Sequence, residues 1–399
     1  MKGQTIIDNF AKVQSRESMD ALIQWAKSEE ICDDEIIYLT KILANSGKIL
    51  KLPNKSLSAD IPSTGGPTSL STLLCPLVLR ELGFVVPKLG VKGRPAGGID
   101  VLAQIPNYKI EFKYYELLRC LKENGYCHFL AGYEFVPLDV VLFSYRSNEN
   151  AKSINPLVIS SILAKKIALG LNHIGLDVRV TKFGNFGTNW EEAKKNSLRF
   201  IRISKKLGIN AVCFLNYLNY IQQPYIGRGE SLVSLFEIFY EEPNSLLRKH
   251  LYGCINMGLS LSSNTKNCSP YTISILAKHF LDNLVAQGSS EKEFINRVQE
   301  IKSAHKYKIH SPKSGFLIIN LQQLRDSIVW GQNYISENKF SDPCGVIFKN
   351  FSNAFVEEGE TILTYRADNK IKDEFHNKLM FSFQINSSLD SDNGYEKIT

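Results

Sequence analysis

The sequence has no window of 18 consecutive apolar residues, so no membrane-crossing helix is expected. Its opening, MKGQTIIDNF, lacks the apolar stretch of a secretory signal, which points to a cytoplasmic location. The eight cysteines contain no C-x-x-C pair, and the seven histidines form neither H-x-x-x-H nor H-E-x-x-H. No metal site is therefore expected. The cysteines are scattered singly, several in runs such as LLCPLVL and NAVCFLN, and read as reduced core residues. Charge is nowhere concentrated: 47 basic and 40 acidic residues leave +7 over 399 residues, without a stripe of Lys and Arg. Nucleic-acid binding would require such a stripe, whereas a mild excess suits small anions. No Glu or Asp pair stands out as a glycosidase dyad, and Asp100 and Asp177 read as caps or strand-end residues.

What is present is an alternation. STLLCPLVLRELG reads as a helix, FVVPKLG as a buried strand, and GGIDVLAQI as the start of another helix. CHFLAGYEF and DVVLFSYR read as strand or buried-core runs. NPLVISSILAKKIALGLNH is a long helix with Pro156 in its first turn, GLDVRVTKFG a strand, EEAKKNSLRFIRISKKLG a basic-faced helix and INAVCFLNYL a further strand. Helix and strand at this spacing make βαβ crossovers, hence an α/β protein with a mostly parallel sheet. Two amphipathic helices over residues 17–48 precede it, and the polar linker KLPNKSLSAD follows them. Beyond about residue 310 short strands dominate, giving a terminal α+β subdomain, and the tail SSLDSDNGYEKIT is polar and expected to fray.

Two glycine-rich turns carry chemistry. In Asp60-Ile-Pro-Ser-Thr-Gly-Gly-Pro-Thr-Ser-Leu-Ser-Thr72, paired glycines let backbone N–H groups approach an anion. Hydroxyls surround them, and the following helix aims its positive end at the same space. Lys88-Leu-Gly-Val-Lys-Gly-Arg-Pro-Ala-Gly-Gly98 adds cations and again leads into a helix. Neither turn fits G-x-x-x-x-G-K-[ST] or G-x-G-x-x-G, which excludes P-loop and Rossmann readings.

These segments, in this order, resemble the thymidine and pyrimidine nucleoside phosphorylases. Ile61-Pro-Ser-Thr-Gly-Gly66 stands where that family has K-H-S-T-G-G, and Arg94-Pro-Ala-Gly-Gly-Ile-Asp-Val-Leu-Ala-Gln-Ile-Pro106 where it has G-H-T-G-G-x-L-D-x-L-x-x-I-P. The strongest match runs from Asp139 to Val180. It includes Arg146, Asn155-Pro-Leu-Val-Ile-Ser-Ser-Ile-Leu-Ala-Lys-Lys166 and Leu176-Asp-Val-Arg-Val180. Gln223-Pro224 with Gly227-Arg-Gly229, and Asp342-Pro-Cys-Gly-Val-Ile-Phe348 with Val356-Glu-Glu-Gly-Glu-Thr-Ile-Leu363, resemble later family motifs. The first loop also resembles that of the related anthranilate phosphoribosyltransferases.

The resemblance implies a small all-α lobe (residues 1–50 and 138–170) that binds the base and forms a homodimer. It implies a large α/β phosphate-binding lobe (52–137 and 171–305), a C-terminal α+β subdomain (306–399), and a cleft that closes on substrate. Arg146, Ser161 and Lys165 become the base-binding residues, with Arg146 and Lys165 catalytic. Ser161 and Lys165, four apart, share a helix face. A departing pyrimidine carries negative charge on O2, N3 and O4, which Arg and Lys donors stabilise most in the transition state. Phosphate, a co-substrate with no other cofactor, falls to Ser63, Thr64, Gly65, Gly66, Ser71, Lys92 and Arg94. Here the chain departs from the family: the loop's Lys and His are Ile61 and Pro62, the later Thr is Ala96, and a Ser is lost near Gly90. Lys88, Lys92 and Arg94 are the cations available to compensate, and restoring Ile61→Lys with Pro62→His is expected to strengthen phosphate binding. The implied function is a pentosyltransferase cleaving a pyrimidine nucleoside, thymidine or uridine, with phosphate or an altered acceptor. The alternatives are a nucleoside- or base-binding protein without turnover, and a phosphoribosyltransferase.

Overall fold

Three helices open the chain in the computed structural model: α1 (Lys2–Lys12), α2 (Arg16–Ala26) and α3 (Asp33–Ala44). The structure describes residues 2–28, 31–52, 57–132, 134–149, 151–217, 220–262, 273–334 and 340–388. Cys268, positions 53–56 of the linker and the tail from 389 lie outside the described residues. The Ser15 hydroxyl accepts from the Ser18 N–H at 3.3 Å to cap α2, and Asp33, Asp34 and Glu35 face the dipole of α3.

Two strand–turn–helix units follow, β1 (Ala59–Asp60) to α4 (Ser71–Glu81) and β2 (Val86–Gly90) to α5 (Gly98–Leu102). Helix α6 (Tyr114–Asn124) ends at Gly125, whose φ of 73° closes the helix and starts β3 (Tyr126–Leu130). Next come α7 (Pro137–Asn148), α8 (Asn155–Ala168), β4 (His173–Val180), α9 (Trp190–Lys206), β5 (Asn210–Tyr217) and β6 (Tyr225–Ile226). Helices α10 (Arg228–Tyr240), α11 (Ser245–Leu261), α12 (Ile273–Ala286) and α13 (Glu291–Ser303) complete the middle of the chain. The last part holds β7 (Tyr307–His310), β8 (Gly315–Ile319), α14 (Leu321–Tyr334), β9 (Cys344–Phe348), β10 (Phe355–Val356), β11 (Thr361–Ala367), α15 (Lys372–Met380) and β12 (Phe383–Asn386).

The segment DVVLFSYR, read as a strand or core run, is helix α7. Pro137 occupies its first turn, and Asp139, Leu142 and Arg146 are buried at spacings of three and four, one helical face.

Strands β1, β4 and β5 pair in parallel in the order β1-β4-β5, and β2 pairs in parallel with β3. A parallel bridge between Ser58 and Val85 joins the two sets into a layer ordered β3-β2-β1-β4-β5. One face is covered by α4 and α10 to α13 around Leu74, Val78, Leu235, Leu251 and Phe294. On the other face the core of the N-terminal helices is continuous with the sheet: Ile7, Leu22, Leu39, Leu157 and Leu163 pack with Ile174, Leu176 and Val178 of β4. The terminal part is antiparallel, with sheets β6-β9-β11-β7 and β10-β8-β12. It recruits β6 from upstream, so the subdomain is not contiguous in sequence. Arg366 locks this arrangement, pairing with Glu230 at 3.0 Å and Asp342 at 2.9 Å. The fold is therefore α/β, as the alternation predicted. Among the described residues no helix is long and apolar enough to cross a membrane.

Candidate active site

Both glycine-rich turns leave the C-terminal ends of parallel strands, where open α/β sheets gather their ligands. They meet α7 and α8 there, around an inner chamber of about 220 Å³. Arg146, Ser161 and Lys165 all line it. The Lys165 ammonium donates to the Ser161 hydroxyl at 2.8 Å and pairs with buried Asp139. The Phe143 ring lies 5.9 Å from the same ammonium. The Arg146 guanidinium is buried and donates to three carbonyls: Ala151 at 3.1 Å, Lys152 at 2.9 Å and Leu157 at 3.2 Å. Of its five N–H groups two remain for a ligand. Burial lowers its pKa to about 10, with Asp139 opposing the shift, so it stays charged at neutral pH. Arg146 thereby fixes the loop that carries Lys152.

The floor of this chamber holds a cluster the motif reading did not assemble. Asp60, at the end of β1 and fully buried, lies between Lys88 of β2 (2.5 Å) and Lys166 of α8. Lys88 also donates to the Ile61 carbonyl at 2.8 Å. Burial works against the Asp60 charge, but Lys166 and Lys88 overcome it and hold the carboxyl below its usual range. Burial, helped by the like charge of Lys88, lowers the pKa of Lys166 despite Asp60. Two ammonium groups on one carboxylate leave a surplus positive charge facing the chamber. His128 stands beside them, its Nδ1 3.0 Å from the Tyr126 hydroxyl. Burial first, and Lys88 next, push its pKa down to about 3, so it is a neutral hydrogen-bonding group and not a proton donor at neutral pH.

An outer chamber of about 540 Å³ adjoins the inner one, and Ser63, Thr64, Thr72, Arg94, Gly97, Lys152 and Asn185 line both. Gly65 and Gly66, with φ of 130° and 110°, take a path closed to other residues and form part of its wall. The loop is tied to β4: Thr64 N–H donates to the Asp177 carbonyl at 3.0 Å, and Arg179 N–H to the Thr64 hydroxyl at 2.9 Å. Ser71 behaves differently from its sequence-based role. It is buried, its hydroxyl donates to Asp177 at 2.8 Å, and it lines neither chamber. Thr72, one residue on, presents its side chain at the start of α4 instead. Asp177 also pairs with Arg179 and accepts from Asn216 at 2.7 Å, the structural role read for it.

In the second turn, Asp100 accepts from the N–H groups of Gly93 (2.8 Å) and Arg94 (3.1 Å) and pairs with Arg228 at 3.3 Å. Burial raises its pKa to about 6. Arg228 in turn donates to the Arg94 carbonyl at 3.2 Å. This clamp aims Arg94 into the cleft and leaves Lys92 exposed, lining neither chamber. Gly90, where the family has a Ser nearby, has no room for one, since a Cβ would come within 2.7 Å of Ile99 Cβ. Ile61 is buried in the core, where a Cβ on Gly175 would lie 2.9 Å from its Cγ1. Its side chain lines neither chamber, while Pro62 lines the inner one. A lysine at 61 would thus point away from the site, and the ammonium nearest that position is Lys88.

Two lining groups were beyond sequence reasoning: Lys152, from the loop after α7, and Arg325 of α14, from the C-terminal subdomain. Lys88 left a readable signal, since a lysine inside the apolar run FVVPKLG must find a buried partner.

No family profile matches the chain. Among curated proteins it is similar to the pyrimidine-nucleoside phosphorylase of Staphylococcus aureus strain USA300, 23% identical over 374 residues, covering 90% of this chain and 86% of that protein. The counterpart in the bovine strain of the same species matches with the same identity and coverage. Among solved structures it is similar to anthranilate phosphoribosyltransferase from Thermus thermophilus, with a TM-score of 0.52 and 14% identity, covering 75% of this chain and 92% of that one. Over most of its length the chain is thus similar, as a divergent relative, to pyrimidine-nucleoside phosphorylases, and its fold is like that of anthranilate phosphoribosyltransferase.

Proposed function

We propose that this protein is a pentosyltransferase that breaks the N-glycosidic bond of a pyrimidine nucleoside and passes the pentose to phosphate. The convergence of Arg146, Ser161 and Lys165 on one chamber, open through Ser63 and Thr64 to the Gly65–Gly66 loop, carries this reading. Ser161 orients the base, and Lys165 and Arg146 face its carbonyl oxygens. As the C1′–N1 bond breaks, its electron pair stays with the base, where the two cations stabilise it. A phosphate oxygen forms the new bond to C1′. Donors already fixed by Asp139 and by three backbone carbonyls need little reorganisation, which is where such sites gain rate.

The acceptor phosphate is held by the N–H groups of Gly65 and Gly66, the hydroxyls of Ser63 and Thr72, and the cations Lys88 and Arg94. Lys88 supplies from β2 the charge that Ile61 no longer provides. The helical lobe is the surface through which two copies would pair, as the resemblance implies.

Incubation with uridine, thymidine and deoxyuridine, with and without phosphate, tests the reading by release of free base. Release that depends on phosphate is the expected outcome. A folded protein that binds uracil but releases no base from any nucleoside or nucleotide would leave a binding protein in place of the enzyme.

A further inference from the structure

Among the described residues, nine cationic side chains line the two chambers: Lys88, Arg94, Arg146, Lys152, Lys165, Lys166, Arg179, Lys182 and Arg325. Among the same residues a single lining carboxylate, Asp60, answers them, and it belongs to the inner floor. No described Asp or Glu lines the outer chamber. A neutral sugar is poorly matched to such a wall, because ribose hydroxyls are donors that a carboxylate commonly accepts. A phosphate ion as acceptor explains the Gly65–Gly66 loop with Lys88 and Arg94. It does not explain Lys152, Lys182 and Arg325.

Two of these further cations, Lys152 and Arg325, are gathered beside Arg94 at a cost. Arg94, Lys152 and Arg325 come from the second turn, the loop after α7 and helix α14. Burial lowers the pKa of Arg94 and of Lys152; Arg325 then acts against Arg94, and both arginines act against Lys152. The Arg94 guanidinium makes no side-chain hydrogen bond among the described residues and lies 5.2 Å from the Phe143 ring. Asp326, 2.9 Å from Arg325, offsets one charge of the three. Like charges held together in a concave, half-buried wall are stabilised when an anion bridges them.

We propose that the outer chamber binds a phosphate monoester on the sugar of the substrate, so that the preferred substrate is a pyrimidine nucleotide, the nucleoside 5′-phosphate, and not the free nucleoside. This rests on the glycosidic cleavage proposed above. The base sits in the inner chamber and the acceptor phosphate at the glycine loop. Lys152, Lys182 and Arg325 hold the sugar's own phosphate. Cleavage then breaks C1′–N1, the base leaves with the electron pair and takes up a proton, and phosphate adds at C1′. The products are free base and a pentose 1,5-bisphosphate.

The test uses the full chain in saturating phosphate, so that the acceptor site is filled. Base release and calorimetric binding are compared for uridine, uridine 5′-monophosphate and uridine 3′-monophosphate, in wild type, Arg325→Gln and Lys182→Gln. Uridine 5′-monophosphate should exceed uridine by roughly 100-fold in kcat/KM, and each variant should lose on the order of 10-fold or more of that advantage, as for a charge-assisted contact. Uridine turnover should not change. Equal handling of uridine and its 5′-phosphate, or a preference for the 3′-phosphate, overturns the proposal and leaves cleavage intact. If nothing is cleaved, the enzymatic reading fails and binding decides this one. Tighter binding of the 5′-phosphate, lost in either variant, upholds the anion site; equal binding ends it.

Discussion

Replacing Lys88 with methionine separates its two roles. In the folded protein Lys88 donates to Asp60 at 2.5 Å and to the Ile61 carbonyl at 2.8 Å, which leaves one N–H for the chamber. Asp60 keeps Lys166 in the variant, so the cluster changes from a surplus positive charge to a neutral pair. The lost bonds to Asp60 and to the Ile61 carbonyl together cost about 2–3 kcal/mol, and relief of repulsion between the two lysines offsets part of this. Folding stability should therefore move by no more than roughly 1–2 kcal/mol. Phosphate binding loses a charge-assisted partner, about 1.5–3 kcal/mol, or on the order of 10- to 150-fold in Kd. Asp60→Asn should show the reverse signature, because two buried ammonium groups lose their counter-charge and stability falls by about 3–5 kcal/mol. Urea unfolding and phosphate calorimetry on the two variants read both quantities. A folded Lys88→Met protein that binds phosphate with wild-type affinity would refute the assignment of Lys88 to the acceptor site.

Lys165→Met alone strands the Asp139 carboxylate in the interior, so Lys165→Met with Asp139→Asn should recover most of the lost stability while uracil affinity by calorimetry stays down by about 10-fold or more. Ile61→Lys should destabilise the protein by more than about 3 kcal/mol in urea unfolding without tightening phosphate, since the side chain enters the core and not the cleft. His128, with a folded pKa of about 3 against an ordinary value near 6.5, binds fewer protons folded than unfolded. Its contribution is complete above about pH 6.5 and lost as pH falls toward 3, with roughly 2–3 kcal/mol gone by pH 4.5. Urea midpoints across pH 4 to 8 should slope this way in wild type and flatten in His128→Gln.

The legible parts of the site were those set by local spacing. Ser161 and Lys165 lie one turn apart on α8, and both glycine turns join a strand to a helix, because these depend on a few adjacent residues. The segment around Arg146 misled because its apolar run is continuous, and only Pro137 and the buried trio Asp139, Leu142 and Arg146 disclose a helix. Ser71 looked available in a row of hydroxyls, yet Asp177, over a hundred positions downstream, accepts its hydrogen bond. Lys92 and Arg94, two apart, were equivalent until Asp100 and Arg228 fixed the turn and sent one to solvent and the other inward. Arg325 reaches the cleft because the terminal subdomain docks on the rest of the chain, with Gln332 of the same helix donating to the Pro95 carbonyl at 2.9 Å and Arg366 pairing with Glu230 at 3.0 Å. Nothing local to α14 encodes that.

The Asp60 cluster also sets how the cleft can move. Its carboxylate is gripped from β2 by Lys88 and from α8 by Lys166, so the sheet and helix α8, which already share an apolar core, are also tied by a buried ionic cluster. Drawing α8 away would expose an ammonium or strand the acid, either of which is expensive in a dry interior. Any displacement of α8 from the sheet must therefore keep Lys166 on Asp60, and the floor of the inner chamber is held to one shape by that demand. The outer walls that carry Lys152 and Arg325 are under no such tie, so if the chambers bind substrate as proposed, the inner one is the rigid half of the cleft.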